Sequence, residues 1–281
     1  MDVITIENLE FIAYHGVYQE EKRLGQKFLV SVSMETGVRK AGKTGKLEHT
    51  IHYGQIARDV EKNFTEKSFD LLETCAETIA EFLLTKYGNI RAITITIKKP
   101  WAPLKMHFEY VSVTITRRRS TVWLSLGANT GDRKKNLESA MEALGKLRNT
   151  KLLKVSAILE TKPFGYPDQP DFLNCAAGLT TLLTPRELLE EIHRIEAEHG
   201  RDRSREIHWG PRPLDIDILL FGDLVTEEDD LILPHPYLEQ REFVLAPLTE
   251  IAPFALHPLL GKRMLTLLKE LRDREKGGER S

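Results

Sequence analysis

Two aspartates stand two residues apart in the stretch Trp209-Gly210-Pro211-Arg212-Pro213-Leu214-Asp215-Ile216-Asp217-Ile218-Leu219-Leu220. On a strand, that spacing puts both carboxylates on one face and Ile216 and Ile218 on the other. Neighbouring carboxylates repel one another unless a cation lies between them. Hard oxygen donors so arranged suit Mg²⁺, which keeps several waters and completes its shell with phosphate. Arg201, Arg203, Arg205 and Arg212 precede the pair and Arg241 follows it. Guanidinium forks together with Mg²⁺ stabilise the charge on a transferring phosphoryl group. A lone Asp-x-Asp is more often a polar edge strand, but the Gly-Pro-Arg before it and the arginines around it favour phosphoryl chemistry. There is no G-x-x-x-x-G-K-[ST] stretch, so a P-loop is excluded. Gly127-Ala128-Asn129-Thr130-Gly131-Asp132 falls between strand and helix without dinucleotide-motif spacing, and by itself reads as a turn and helix cap.

The first half carries quieter candidates. Lys99 ends a strand whose apolar positions are Ile93, Ile95 and Ile97, so a period of two places Lys99 on the buried face and Lys98 off it. Desolvated lysines are suited to acid–base work. Tyr53 stands at a helix entrance, and Glu73 follows Asp70 at capping-box spacing, which makes a helix-cap carboxylate its plain alternative. His15 reads as structural.

These residues need elements to hold them. Alternation predicts strands at residues 3–6, 27–38, 90–99 and 107–117, and helical spacing predicts helices from Tyr53 to Lys67 and from Asp70 to Gly88. The order is β-β-α-α-β-β. After Arg117-Arg118-Arg119 come a strand (122–126), a helix (133–147), strands at 152–161 and 172–183, a helix (185–199), a long loop and a strand (214–221). That β-α-β-β-α-β order is ferredoxin-like, and two further helices are expected beyond Pro234-His235-Pro236. The expected class is α+β in two domains, residues 1–118 and 119–281, as 281 residues suggest at roughly 150 per domain.

Composition narrows the function classes. Hydrophobic residues are 41% and charged residues 29% of the chain, enough for two packed cores. The front half has 17 basic and 15 acidic side chains and the back half 23 and 27, too balanced for a nucleic-acid footprint. No apolar run approaches the 18 or so residues of a membrane span. Met1 is followed by Asp2 and a strand pattern, so no leader is expected and the location expected is cytoplasmic. Cys75 and Cys175 form neither a disulfide framework nor a metal-ligand spacing.

The second half resembles the 6-hydroxymethyl-7,8-dihydropterin pyrophosphokinases. The matching stretches are Gly127–Asp132, Glu160–Gly165, Asp168–Asn174, Gly210–Asp217 and Pro234–Phe243, in that order. The resemblance implies diphosphate transfer from ATP to the hydroxymethyl group of a reduced pterin, releasing AMP. Asp215 and Asp217 would then hold two Mg²⁺ ions, and Arg201 and Arg212 would assist from loops. Glu196, Arg203, His235 and Arg241 would serve ATP. The pterin would stack between Phe164 and Phe243, with Thr161 and Asn174 at its edge and Phe172 walling the pocket. Alone, Phe164 and Phe172 would read as core aromatics and His235 as a loop histidine.

The first half resembles dihydroneopterin aldolase in Tyr14-His15-Gly16-Val17, Gly25-Gln26, Thr50–Gly54, Leu71-Leu72-Glu73 and Lys99-Pro100. That family has the tunnelling fold, whose subunits assemble as rings, here an octamer or a tetramer, with sites between subunits. The resemblance implies retro-aldol cleavage of 7,8-dihydroneopterin without a metal or Schiff base. Glu73 would grip the pterin edge with backbone at Ile51 and Leu72, Lys99 and Tyr53 would manage protons, and Glu21 would contribute, although Glu20 beside it leaves the register open. The partners implied are pterins and ATP, with no nucleic acid and no membrane. The competing reading keeps the pyrophosphokinase and makes the aldolase-like half only an oligomerising scaffold.

Overall fold

The computed structural model describes residues 2–163, 168–202 and 210–278, and the chain divides into two compact units, 1–119 and 120–281. Unit 1 runs β1 (Asp2–Ala13), α1 (Gln19–Leu24), β2 (Gln26–Thr36), α2 (Arg39–Thr44), α3 (Tyr53–Thr65), α4 (Leu72–Lys86), β3 (Ala92–Lys99) and β4 (Val111–Arg118). Its strands form one antiparallel sheet in sequence order. Alternation on β2 buries Phe28, Val30, Val32 and Met34, and the same alternation on β3 buries Ile93, Ile95, Ile97 and finally Lys99. Against this face lie Ile56, Val60 and Phe64 of α3 and Leu72, Cys75, Ala76, Ile79, Ala80 and Leu83 of α4. Each large apolar side chain so buried stabilises the unit by about 1.5–3 kcal/mol before entropy is counted. The opposite face carries hydroxyl pairs, Thr5–Ser33, Thr94–Thr116 and Thr96–Thr114, at 2.8–3.1 Å.

Unit 2 runs β5 (Ser120–Ala128), α5 (Arg133–Lys146), β6 (Thr150–Val155), β7 (Leu159–Thr161), β8 (Phe172–Thr181), α6 (Pro185–Glu198), β9 (Asp215–Phe221), β10 (Thr226–Glu228), β11 (Leu231–Leu233), α7 (Glu242–Ile251) and α8 (Met264–Gly278). The sheet order is β6-β8-β5-β9, with β7 also on β8, and every pairing is antiparallel. That is the ferredoxin-like order expected of β-α-β-β-α-β. Leu137, Ala140 and Leu144 of α5 and Leu188, Ile192 and Ile195 of α6 form one core with Ile216 and Ile218. Val244, Leu245 and Leu248 of α7 and Met264 and Leu267 of α8 form another with Leu219 and Leu220. A register shift opposite Trp123/Leu124 lets both leucines join that second layer.

The short helices α1 and α2 and the hairpin β10–β11 are additional to the expected order, and three expectations change. The strand at 152–161 is two strands, broken where Ser156 Oγ accepts from the Ala176 amide at 2.9 Å and Glu250 takes the Ala157 amide. Asp70 does not cap α4: the cap position is Leu71, and Asp70 instead pairs with Lys22 of α1 at 2.6 Å. The last strand of unit 1 starts at Val111, four residues later than the alternation suggested. Among the described residues no helix is long and apolar enough to cross a membrane.

Candidate functional sites

In unit 2, β9 opens with Asp215 and Asp217 on the face opposite Ile216 and Ile218. Asp215 lies opposite Gly127 on β5, and Gly127 lies opposite Asn174 on β8. Asn174, Gly127 and Asp215 therefore form one row across three strands, which puts Asn174 and Asp215 two strand spacings, roughly 9–10 Å, apart. Asn174 Nδ2 donates to Thr161 Oγ1 at 2.7 Å. A side chain at Gly127 would come within 2.9 Å of Asn174 Oδ1, so the glycine keeps the middle of the row open.

Asp215 is the charged hub. Arg201 donates to its Oδ1 at 2.5 Å and Arg212 to its Oδ2 at 2.9 Å. Burial works against the charge of Asp215, but Arg212 and Arg201 hold its pKa below the ordinary carboxylate value. Asp217 is the reverse case: burial, then the charges of Asp215 and Glu196, push it up to about 7. Among the described residues the imidazole of His235 lies near it, with Nε2 3.9 Å from Asp217 Oδ2. Burial and then Arg241 push the pKa of His235 down to about 4, so its imidazole is neutral at pH 7. This donor set fits Mg²⁺: two carboxylates share a face, and among the described residues no lysine or arginine pairs with Asp217. No cluster of three or more His, Cys, Asp or Glu gathers among the described residues, so water and phosphate would complete the shell.

Glu196 departs from its expected place on ATP. It is 1% exposed, bonds Arg201 at 2.5 Å and accepts from the Ile216 amide at 2.8 Å. It therefore lies beneath Arg201 and anchors the edge of β9, so it would reach a nucleotide only through the arginine. Arg241 caps α7 by position, with its guanidinium 4.7 Å from the Tyr237 ring centroid and 5.9 Å from that of Phe243. Phe172 starts β8 and Phe243 is the second residue of α7, both half-buried. Phe164 and Arg203 lie outside the described residues.

One residue had no assigned role in the sequence reading: Asn129, 2% exposed. Its Oδ1 accepts from the Arg212 amide at 2.7 Å, and its Nδ2 donates to Gln169 Oε1 at 2.9 Å and the Pro170 carbonyl at 3.2 Å. It ties the arginine loop to the segment entering β8. Its position inside a strand-to-helix turn was the only available signal. Asp132 caps α5, as a turn-and-cap reading of that loop expects.

In unit 1, Lys99 is buried at the end of β3 and Lys98 is not. Lys98 reaches Asn8 at 3.2 Å and lies over the Tyr110 ring. Lys99 Nζ sits 2.5 Å from Glu21 Oε1, with both side chains about a tenth exposed. Glu20 is exposed, so Glu21 is the one turned inward. Burial works against its charge, but hydrogen bonds from Lys99, the Tyr18 amide and Gln26 together lower its pKa. The turn beneath it contains Gly16 at φ 145°, where a Cβ would lie 2.2 Å from Glu21 Oε2. His15 is fully buried among Phe28, Phe64 and Phe69, and its Nδ1 accepts from the Phe69 amide at 3.2 Å. Burial lowers its pKa. Ile51 and Leu72 are buried at the entrances of α3 and α4, while Tyr53 and Glu73 are exposed. Neither side chain bonds Lys99 or Glu21, and Glu73 does not cap its helix.

Residues 4–116 match the family model for dihydroneopterin aldolase, and residues 123–253 match that for 7,8-dihydro-6-hydroxymethylpterin-pyrophosphokinase. The folic acid synthesis protein fol1 of Pneumocystis carinii is 30% identical over 292 residues, covering 98% of this chain and 39% of its own length. The chain thus spans about two fifths of the length of the folic acid synthesis proteins it matches. The 2-amino-4-hydroxy-6-hydroxymethyldihydropteridine pyrophosphokinase of Bacillus subtilis is 49% identical over 129 residues, 46% of this chain and 76% of its own. A crystal structure of E. coli dihydroneopterin aldolase in complex with neopterin is 33% identical and covers 42% of this chain and 99% of that one, with a TM-score of 0.39. Through residues 123–253, with relatives 43% and 49% identical of which it covers 81% and 76%, this chain belongs to the 7,8-dihydro-6-hydroxymethylpterin-pyrophosphokinase family, and its residues 4–116 match the dihydroneopterin aldolase model.

Proposed function

We propose that the chain performs two consecutive steps of folate biosynthesis, the first in residues 1–118 and the second in residues 119–281. The observation that carries this reading is that one chain holds a buried Lys99–Glu21 pair in one unit and an arginine-flanked carboxylate pair in the other.

The first step is retro-aldol cleavage of 7,8-dihydroneopterin. Removal of a side-chain hydroxyl proton breaks the adjacent carbon–carbon bond and releases glycolaldehyde. The electron pair passes into the pterin's own imine, and protonation of the resulting enamine gives 6-hydroxymethyl-7,8-dihydropterin. Lys99 and Tyr53 carry these protons, and Glu21 holds the lysine. Glu73, with backbone at Ile51 and Leu72, binds the pterin edge. Tyr53 and Glu73 stand exposed at helix entrances, and β1 and β4 are open sheet edges, which supports a site shared between subunits of a homo-oligomeric ring.

In the second step the hydroxymethyl oxygen attacks the β-phosphorus of ATP, the bond between the α- and β-phosphates breaks, and AMP leaves. Asp215 and Asp217 would hold two Mg²⁺ ions, which supply charge neutralisation for the triphosphate when bound. Arg201 and Arg212 would assist the transfer, Arg203 and Arg241 would bind ATP, and neutral His235 serves as a hydrogen-bonding group. Thr161 and Asn174 hold the pterin edge, with Phe164, Phe172 and Phe243 as its apolar walls. A cytoplasmic location completes the proposal.

The test is incubation with 7,8-dihydroneopterin and Mg-ATP while glycolaldehyde, AMP and pterin diphosphate are followed together. All three should accumulate. Asp215→Ala or added EDTA should stop AMP formation and spare glycolaldehyde release. A chain making AMP from supplied hydroxymethyldihydropterin but never glycolaldehyde would favour the scaffold reading.

A further inference from the structure

Gln26 opens β2 and is 6% exposed. Its Nε2 lies 3.0 Å from Glu21 Oε1, the same oxygen that receives Lys99 Nζ at 2.5 Å, and 3.5 Å from the His15 carbonyl. Both neighbours of that nitrogen are acceptors, so only the amide nitrogen can face them; the flipped amide would set oxygen against oxygen. Its Oε1 is buried and has no hydrogen-bond donor among the described residues. Leaving a buried carbonyl unmatched costs free energy, so the orientation is set by Glu21 and the turn at His15 rather than by satisfaction of the glutamine itself. The other carboxylate oxygen, Glu21 Oε2, accepts from the Tyr18 amide at 3.0 Å.

We infer that Gln26 is a positioning residue of the retro-aldol site: it steers Glu21 Oε1 onto Lys99 and keeps the carboxylate ionised beside the ammonium. This rests on the functional reading above for its catalytic consequence, and on geometry alone for its effect on Glu21. Gln26 Nε2 is turned onto Glu21 Oε1, and it acts through that carboxylate. The charged group facing that carboxylate is Lys99 from β3; the adjacent Lys22 of α1 pairs instead with Asp70. The remaining contacts are the Tyr18 amide and Gln26 itself.

The test uses the full chain with Gln26→Met, close in shape and unable to donate, and Gln26→Glu, which replaces the donor with a second carboxyl. For Gln26→Met, kcat should fall about 10-fold or more with KM near wild type. The acid limb of the pH profile should move to higher pH, and further in Gln26→Glu, because both changes disfavour the ionised Glu21. A carbon-13 titration of the Glu21 carboxyl should show the same upward move without reference to turnover. An unmoved Glu21 titration in a folded variant, or a loss confined to KM, overturns the inference. If wild-type chain releases no glycolaldehyde while the Glu21 titration still moves, the functional reading fails and the positioning of Glu21 stands.

Discussion

The buried face of β3 distinguishes two adjacent lysines by the pleat alone. Lys99 is turned onto Glu21 within the packed layer, and Lys98 is turned toward Asn8 and Tyr110. Lys99→Ala should therefore lower glycolaldehyde release by roughly 10²–10⁴-fold, whereas Lys98→Ala should stay near wild type; equal losses in a steady-state assay would refute the assignment. Asp217 makes a different statement. Its folded pKa of about 7 lies above the ordinary 3.8, so the protonated form is the one the fold favours. That stabilisation is whole below pH 4 and is lost as pH rises toward 7. In EDTA, Asp217→Asn should then raise the melting temperature of unit 2 increasingly between pH 4 and 8. Discounted for the carboxylate's partial exposure, the gain is about 2–4 °C at pH 8, near 1 kcal/mol for a domain of this size. Calorimetry in EDTA checks the sign, and the same variant should make no AMP. Stability and activity trade places at this residue because the site concentrates negative charge for a cation to meet. Sequence spacing was enough to place both lysines and both aspartates, since a period of two needs no knowledge of the partner strand.

At the scale of elements, the row Asn174–Gly127–Asp215 joins the proposed pterin edge to the carboxylate pair through a single glycine. A methyl at position 127 meets Asn174 Oδ1 at 2.9 Å and must push it away from Thr161. Gly127→Ala should accordingly raise KM for the hydroxymethylpterin several-fold, with KM for ATP nearly unchanged; calorimetric binding of each substrate separates the two. The order of the main strands and long helices was legible because apolar periodicity switches cleanly between 2 and 3.6 residues, while the short helices α1 and α2 and the hairpin β10–β11 carry no such period. The capping of α4 was not. Asp70 and Glu73 have capping-box spacing, but the Lys22–Asp70 pair draws the aspartate to α1 and leaves Glu73 exposed. The break at Ser156 was equally hidden, because Glu250, which takes the Ala157 amide, lies over ninety residues away.

At the scale of the molecule, unit 1 presents a four-stranded sheet in which, among the described residues, β1 and β4 pair on one side only, with Val111 of β4 and Val3 and Ile12 of β1 exposed. Light scattering of the full chain should return a multiple of the 32.1 kDa protomer, and a monomer at micromolar concentration would contradict a shared aldolase site. Sequence alone determined the α+β class, the order of the main strands and long helices in each unit and the residue types able to carry acid–base and phosphoryl chemistry. These follow from local periodicity and from side-chain chemistry, which are properties of short stretches. Tertiary structure decided how those residues combine. It turned Glu21 rather than Glu20 onto Lys99, sank Glu196 beneath Arg201, left Asp217 beside Asp215 with its pKa raised, and set Asn129 between the arginine loop and the segment entering β8. Each of those outcomes depends on burial and on partners distant in sequence. Desolvation and long-range hydrogen bonding arise only when the chain is packed, so no local pattern could carry them.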